Sequence, residues 1–167
     1  RKISDTFPKG QPGNAWGMTE TAAACCGIGA GDYRKRPDSC GICAPTGEMK
    51  IVGEDGSTLP PGEIGEVFIR PKAGAGTTYH YIGAEAKAIQ GGWESLGDLG
   101  WMDAEGFLYL TDRLSDMILI GGANIYPAEV EAVLHSHPKI RMAQVFGVPH
   151  ERLGEVGCAC IELEPEA

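Results

Sequence analysis

Three short stretches of the chain carry side chains that could do chemistry. Trp16-Gly17-Met18-Thr19-Glu20 sets an aromatic ring, a hydroxyl and a carboxylate side by side. A ring can stack on a base, a hydroxyl can reach a phosphate oxygen, and a carboxylate can hold a magnesium ion that itself sits on phosphates. Asp98 stands between Gly97 and Leu99 with Gly100 following. A carboxylate there can project from a tight turn, and its two acceptor oxygens match the paired hydroxyls of a ribose. Asp112, Arg113 and Asp116 precede a short apolar run and read as a turn, an ion-pair cluster or a site, while Gly121 and Gly122 after that run permit positive φ and a close backbone approach to a ligand. Plain structural alternatives accompany each. Residues 16–24 also fit a strand end followed by a capped helix, and Asp98 also fits an Asx-type turn between strands.

The elements that must position these residues follow from local pattern. Met117, Ile118, Leu119 and Ile120 form a short buried strand leading into the glycines. Pro127 suits the first position of a helix, Glu129 and Glu131 put negative charge at its positive end, and Val130, Val133 and Leu134 supply its apolar face. That helix stops near His137, because Pro138 restricts the residue before it. Upstream, residues 48–52 and 64–70 read as strands separated by turns at 54–57 and 59–63, a small antiparallel unit. Residues 71–92 are glycine- and alanine-rich and read as an extended loop with one helical turn near 84–89. The turn at 103–106 leads to a strand at 107–110, and further strands fall near 142–148 and 156–163. Residues 1–13, with Pro8, Gly10, Pro12 and Gly13, read as a loop and not as the natural beginning of a domain.

Composition narrows the function classes. Hydrophobic content of 43% with 22% charged residues is globular, and 167 residues suffice for one ordinary domain or two small ones. A net charge of −9 argues against binding a nucleic-acid backbone. The basic cluster Arg34-Lys35-Arg36 reads as a solvated loop. No apolar run approaches the roughly 20 residues of a membrane span and no signal-peptide pattern opens the chain, so a cytoplasmic protein is expected. Among six cysteines, Cys40 and Cys43 form a C-x-x-C with no second pair at zinc-ribbon spacing. Cys158 and Cys160 share one strand face. Most of the thiols read as small buried hydrophobes in a reducing compartment.

Four stretches together carry a family resemblance: WGMTE at 16–20, PPGEIGEVFIR at 60–70, GDLGWMDAEGFLYLTDR at 97–113 and DMILIGGANIYPAEVE at 116–131. In order and spacing they resemble the adenylate-forming acyl-CoA synthetase superfamily, which also holds luciferases and peptide-synthetase adenylation domains. The likeness runs from about Trp16 onward. It implies a two-step ligase in which a carboxylic acid attacks the α-phosphorus of MgATP to give an acyl-adenylate and pyrophosphate, and the thiol of coenzyme A then displaces AMP. By the same resemblance Trp16 lies against the adenine, Thr19 contacts the α-phosphate, Glu20 holds the magnesium ion, and Asp98 and Arg113 reach the ribose. Asp112 falls at the family's hinge, and Gly121 and Gly122 belong to a loop that lines the pantetheine tunnel after the small domain swings.

Departures from the pattern are also visible. Trp16 replaces the usual tyrosine, Leu96 stands where threonine commonly precedes Gly-Asp, and Ser115 stands where lysine is frequent. Neither the family's upstream phosphate loop nor its late catalytic lysine is present, so the chain reads as an internal piece that alone binds ATP poorly and forms no adenylate. The implied fold is α+β. Residues 1–111 are the end of a large AMP-binding domain with a β-barrel-like subdomain, and residues 112–167 are the first half of a small mobile C-terminal domain. The expected substrate is a fatty, aryl or bile-acid/steroid carboxylic acid. Two alternatives stand beside the ligase: a non-catalytic metal-binding or redox interaction module, and a peptide-synthetase adenylation domain.

Overall fold

The computed structural model describes residues 6–18, 23–72, 82 and 87–165. Thr19, Glu20 and the 84–86 part of the expected helical turn therefore lie outside the described residues. The chain divides into two compact units, Arg1–Leu110 and Thr111–Ala167.

The first unit is built on one antiparallel sheet. Its strands are β1 (Asn14–Met18), β2 (Ala23–Ile28), β3 (Gly41–Cys43), β4 (Gly47–Val52), β5 (Gly65–Pro71), β6 (Lys87–Ile89), β7 (Trp93–Met102) and β8 (Phe107–Arg113), with one short helix, α1 (Ala30–Lys35), between β2 and β3. They run in the order β1-β2-β3-β8-β7-β5-β4, and β6 pairs with β7 beside that path. The path is open, with β1 and β4 at its ends, and closure into a barrel is not seen among the described strands. Even so, Trp16 on β1 and Ile51 on β4 share one buried cluster with Cys26, Val67 and Leu108. Side chains from the two ends of the path can meet only if the sheet curls around that face.

Two local readings change here. The small-residue run after Glu20 continues as strand β2, not as a capped helix, because Ala23 to Ile28 pair along β1. Residues 87–89 are strand β6, where a helical turn was expected, because Lys87, Ala88 and Ile89 find partners in Ser95, Glu94 and Trp93. The strands at 48–52 and 64–70 are present as β4 and β5, in continuous register from Gly47↔Pro71 to Val52↔Glu66. Val67 and Phe68, which point to opposite faces of the strand, are each 1% exposed, so β5 is buried on both faces there. Nor is Arg36 part of a solvated loop. It pairs with Asp103 and Glu105 and lies 4.2 Å from the centre of the Phe107 ring.

The second unit holds a four-stranded sheet and one helix. Strands β9 (Ile118–Ile120), β10 (Ala123–Ile125), β11 (Ile140–His150) and β12 (Gly154–Leu163) lie in the order β10-β9-β12-β11, with α2 (Pro127–His135) packed on β11. Gly121 and Gly122 have φ of 58° and 91° and join the paired residues Ile120 and Ala123. Two successive positive φ angles are the signature of a type I′ hairpin, whose twist suits the flanking strands. The glycine loop is therefore a tight β-turn followed by a second strand, β10, before the helix begins.

Helix α2 starts with Pro127 at its first position and ends at His135, two residues before the expected stop. Its inward side is the expected one only in part: of Val130, Val133 and Leu134, Leu134 alone is half-buried. Val130 is 38% and Val133 72% exposed, whereas Pro127 is buried. Glu131 accepts the N–H of Val145 at 2.7 Å, and His135 Nε2 accepts the N–H of Ala143 at 2.9 Å. The cause is the sheet edge: β11 is an outermost strand, and its outward N–H groups need acceptors that α2 can offer at i and i+4 spacing.

Candidate functional site

Asp98 is the best-defined candidate. It lies inside β7, not in a turn, and the register explains how it leaves the ladder. On β5, Glu66 pairs with Leu99 and Phe68 with Ser95, so residues 96–98 stand opposite Val67 alone. The surplus residues form a bulge, and Gly97, at φ 79°, supplies the left-handed conformation it needs. Bulges redirect a side chain without ending the strand. Asp98 is 6% exposed, and its Oδ2 accepts the Trp16 indole N–H at 2.7 Å.

The bulge has its own fixings. Ser95 Oγ accepts the N–H of Gly97 at 3.0 Å and donates to the carboxylate of Glu66, which also pairs with Lys87. Sequence reasoning passed over Ser95 and Glu66. The signal available was a serine two residues before a glycine, the spacing of a side-chain-supported turn, but its meaning depends on a partner strand 29 residues away.

Trp16 and Asp98 are brought together. Trp16 is only 8% exposed, packed in the core cluster. Around it lie the thiols of the first unit. Cys26 pairs in register with both Trp16 and Cys43, and its Sγ donates to the Cys40 carbonyl at 3.2 Å. Burial pushes the Cys26 thiol up to about 12 and also raises Cys40 and Cys43, with the Asp98 charge adding to the rise at Cys40. Of the six cysteines only Cys26 is buried, so the expectation that most are buried is not met; Cys25, Cys40, Cys43 and Cys158 are half-buried and Cys160 is exposed. Among the described residues no group of three or more His, Cys, Asp or Glu side chains is placed to hold a metal ion.

The second unit positions Asp112, Gly121 and Gly122. Asp112 Oδ1 accepts the N–H of Arg113 at 2.8 Å and its Oδ2 accepts the N–H of Ala128 at 3.0 Å. Tyr126, the residue at the helix cap position, makes no side-chain capping bond. Asp112 therefore caps α2 from sixteen residues upstream of Ala128, placing its charge at the positive end of the helix. It also lines an open cleft of about 480 Å³ with Asp116, Glu131, Gln144, Phe146 and Glu155. Arg113 is exposed and adjoins Asp112 in sequence. Gly121 and Gly122 serve the hairpin turn described above.

Comparison with known proteins follows the same order along the chain. The model of the family described as AMP-binding enzyme matches residues 1–81, and that of the AMP-binding enzyme C-terminal domain matches residues 129–167. A 2-succinylbenzoate–CoA ligase from Geobacillus kaustophilus is 40% identical over 149 residues, which is 89% of this chain and 30% of the relative. The o-succinylbenzoate CoA synthetase (MenE) of Bacillus subtilis, solved with the acyl-adenylate intermediate, is similar at a TM-score of 0.81 and 36% identity over 98% of this chain and 33% of that one. The same enzyme in complex with ATP and magnesium gives a TM-score of 0.76 and 34% identity, over 97% of this chain and 33% of the other. The chain thus spans about a third of the length of the proteins it matches. Two family models in sequence order and relatives along almost the whole chain lead to one conclusion: the chain belongs to the adenylate-forming AMP-binding enzyme family, in its acyl-CoA synthetase branch.

Proposed function

We propose that the chain is part of an ATP-dependent acid–CoA ligase that joins a carboxylic acid to coenzyme A through an acyl-adenylate. The observation that carries this reading is the succession of the two family models on one chain, with relatives named as 2-succinylbenzoate–CoA ligases. In this reading residues 1–111 complete the large nucleotide-binding domain, as a barrel-like subdomain, and residues 112–167 begin the small mobile one. Asp98, buried and redirected by its bulge, accepts the ribose hydroxyls. Arg113 supports the same ribose, Thr19 contacts the α-phosphate, and Glu20 holds the magnesium ion. Magnesium, when bound, neutralises phosphate charge. Asp112 is the hinge, and Gly121 and Gly122 offer backbone to the pantetheine arm. The setting is cytoplasmic. Among the described residues no helix is long and apolar enough to cross a membrane.

An aryl acid is the favoured substrate class, because the relatives' names specify an aromatic dicarboxylate. The test is thioester formation by the full-length protein with ATP and coenzyme A over 2-succinylbenzoate, benzoate, a long-chain fatty acid and a bile acid. Thioester from an aryl acid, well above the fatty and bile acids, is expected. Preference for a fatty or bile acid would overturn the aryl assignment, and thioester from none of them would overturn the ligase reading.

A further inference from the structure

The hydrogen bond between Trp16 and Asp98 crosses a long way through the fold. Along the sheet, β1 and β7 are separated by β2, β3 and β8. At about 4.8 Å per strand, a flat sheet would hold them about 19 Å apart. The sheet instead curls until the indole N–H meets the carboxylate at 2.7 Å. Both residues are almost fully buried, at 8% and 6% exposure. A charge-assisted bond of this length in a water-poor setting is among the stronger neutral-donor contacts a carboxylate can make.

Each partner is held independently. The Trp16 ring is locked among Cys26, Ile51, Val67 and Leu108, and its backbone is registered against Cys26. Asp98 is delivered by the Gly97 bulge, which Ser95 braces. The indole therefore supplies a rigid donor to a carboxylate on a locally irregular strand. A ring so enclosed also offers little open face on which a base could lie.

We infer that Trp16 is a positioning residue for Asp98: its core-anchored indole N–H holds one carboxylate oxygen so that the carboxylate is aimed at the ribose hydroxyls of a nucleotide. This rests on the reading of Asp98 as the ribose-binding group. A carboxylate has capacity for about four hydrogen bonds, so it accepts the indole and two hydroxyls together. Phenylalanine would keep the ring and lose the donor. The carboxylate would then rotate, and nucleotide recognition would lose its dependence on the ribose hydroxyls.

The experiment compares kcat/KM for ATP and 2′-deoxy-ATP in the full-length protein, for the unmodified enzyme, Asp98→Ala and Trp16→Phe. A second variant carries benzothienylalanine at position 16, which preserves the shape of the indole and deletes only its N–H. The unmodified enzyme should prefer ATP, and Asp98→Ala should erase the preference. Trp16→Phe and the benzothienylalanine variant should each cut the preference by about tenfold or more, the scale of one hydrogen bond to a charged group. A uniform loss against both nucleotides, with the preference intact, would show that Trp16 acts on the base or only on packing, and overturns the inference. Equal preference in the unmodified enzyme and in Asp98→Ala overturns the ribose reading itself, a result separate from anything seen at Trp16.

Discussion

At the scale of single residues, burial decides what the polar groups can do. Asp98 combines near-complete burial with a tryptophan donor, while the Cys26 thiol of the same core is buried without charge. Cys26 ionises only near 12, against an ordinary value of 9.0, because burial penalises the thiolate. Its folded form therefore keeps a proton that the unfolded form sheds. The stability this contributes is fully present below pH 9 and is lost as pH rises from 9 toward 12. At pH 8 iodoacetamide should alkylate the exposed Cys160 while leaving Cys26 unmodified in the native protein, as read by peptide mass spectrometry. Early labelling of Cys26 would contradict its place in the core. The residue types at Trp16 and Asp98 were open to sequence reading, but their bond was not. It joins positions 82 apart, and neither local pattern nor spacing encodes such a contact.

At the scale of elements, the legible parts were those with local causes. Strands β4, β5, β9, β11 and β12 were visible from apolar runs bounded by turn residues, and the start of α2 from Pro127. What stayed hidden depends on partners. The bulge at 96–98 exists only relative to β5, β6 exists only because β7 lies beside it, and the inward face of α2 is set by unpaired N–H groups on β11. Asp112 belongs to the same class. By sequence it was one charge in a cluster, and by fold it is the remote cap of α2. Asp112→Ala should lower stability by about 1 kcal/mol, the typical worth of a helix cap. Asp112→Asn, with one acceptor oxygen in place of two, should fall between. Thermal melting of the full-length protein checks the order. An alanine variant as stable as the parent would show that the two backbone bonds to Asp112 contribute nothing.

At the scale of the whole molecule, the chain is predominantly sheet with few helices, arranged as two units whose succession matches the two family models. A net charge of −9 leaves the chain without a broad excess of basic groups, so the nucleotide binding proposed for the whole protein would depend on a few directed groups. The proposed role of Asp98, a carboxylate that accepts from hydroxyls and not from phosphate, fits that balance. The curled open sheet is what lets a residue of its first strand steady a residue of its seventh. The most direct test is acid-dependent exchange of labelled pyrophosphate into ATP by the full-length protein, with and without Asp98→Ala. Exchange that needs the carboxylic acid and falls by about tenfold to a hundredfold in the variant is the predicted result. Exchange of equal rate in both proteins would contradict the assignment of Asp98 to the nucleotide, and no exchange with any acid would contradict adenylate formation.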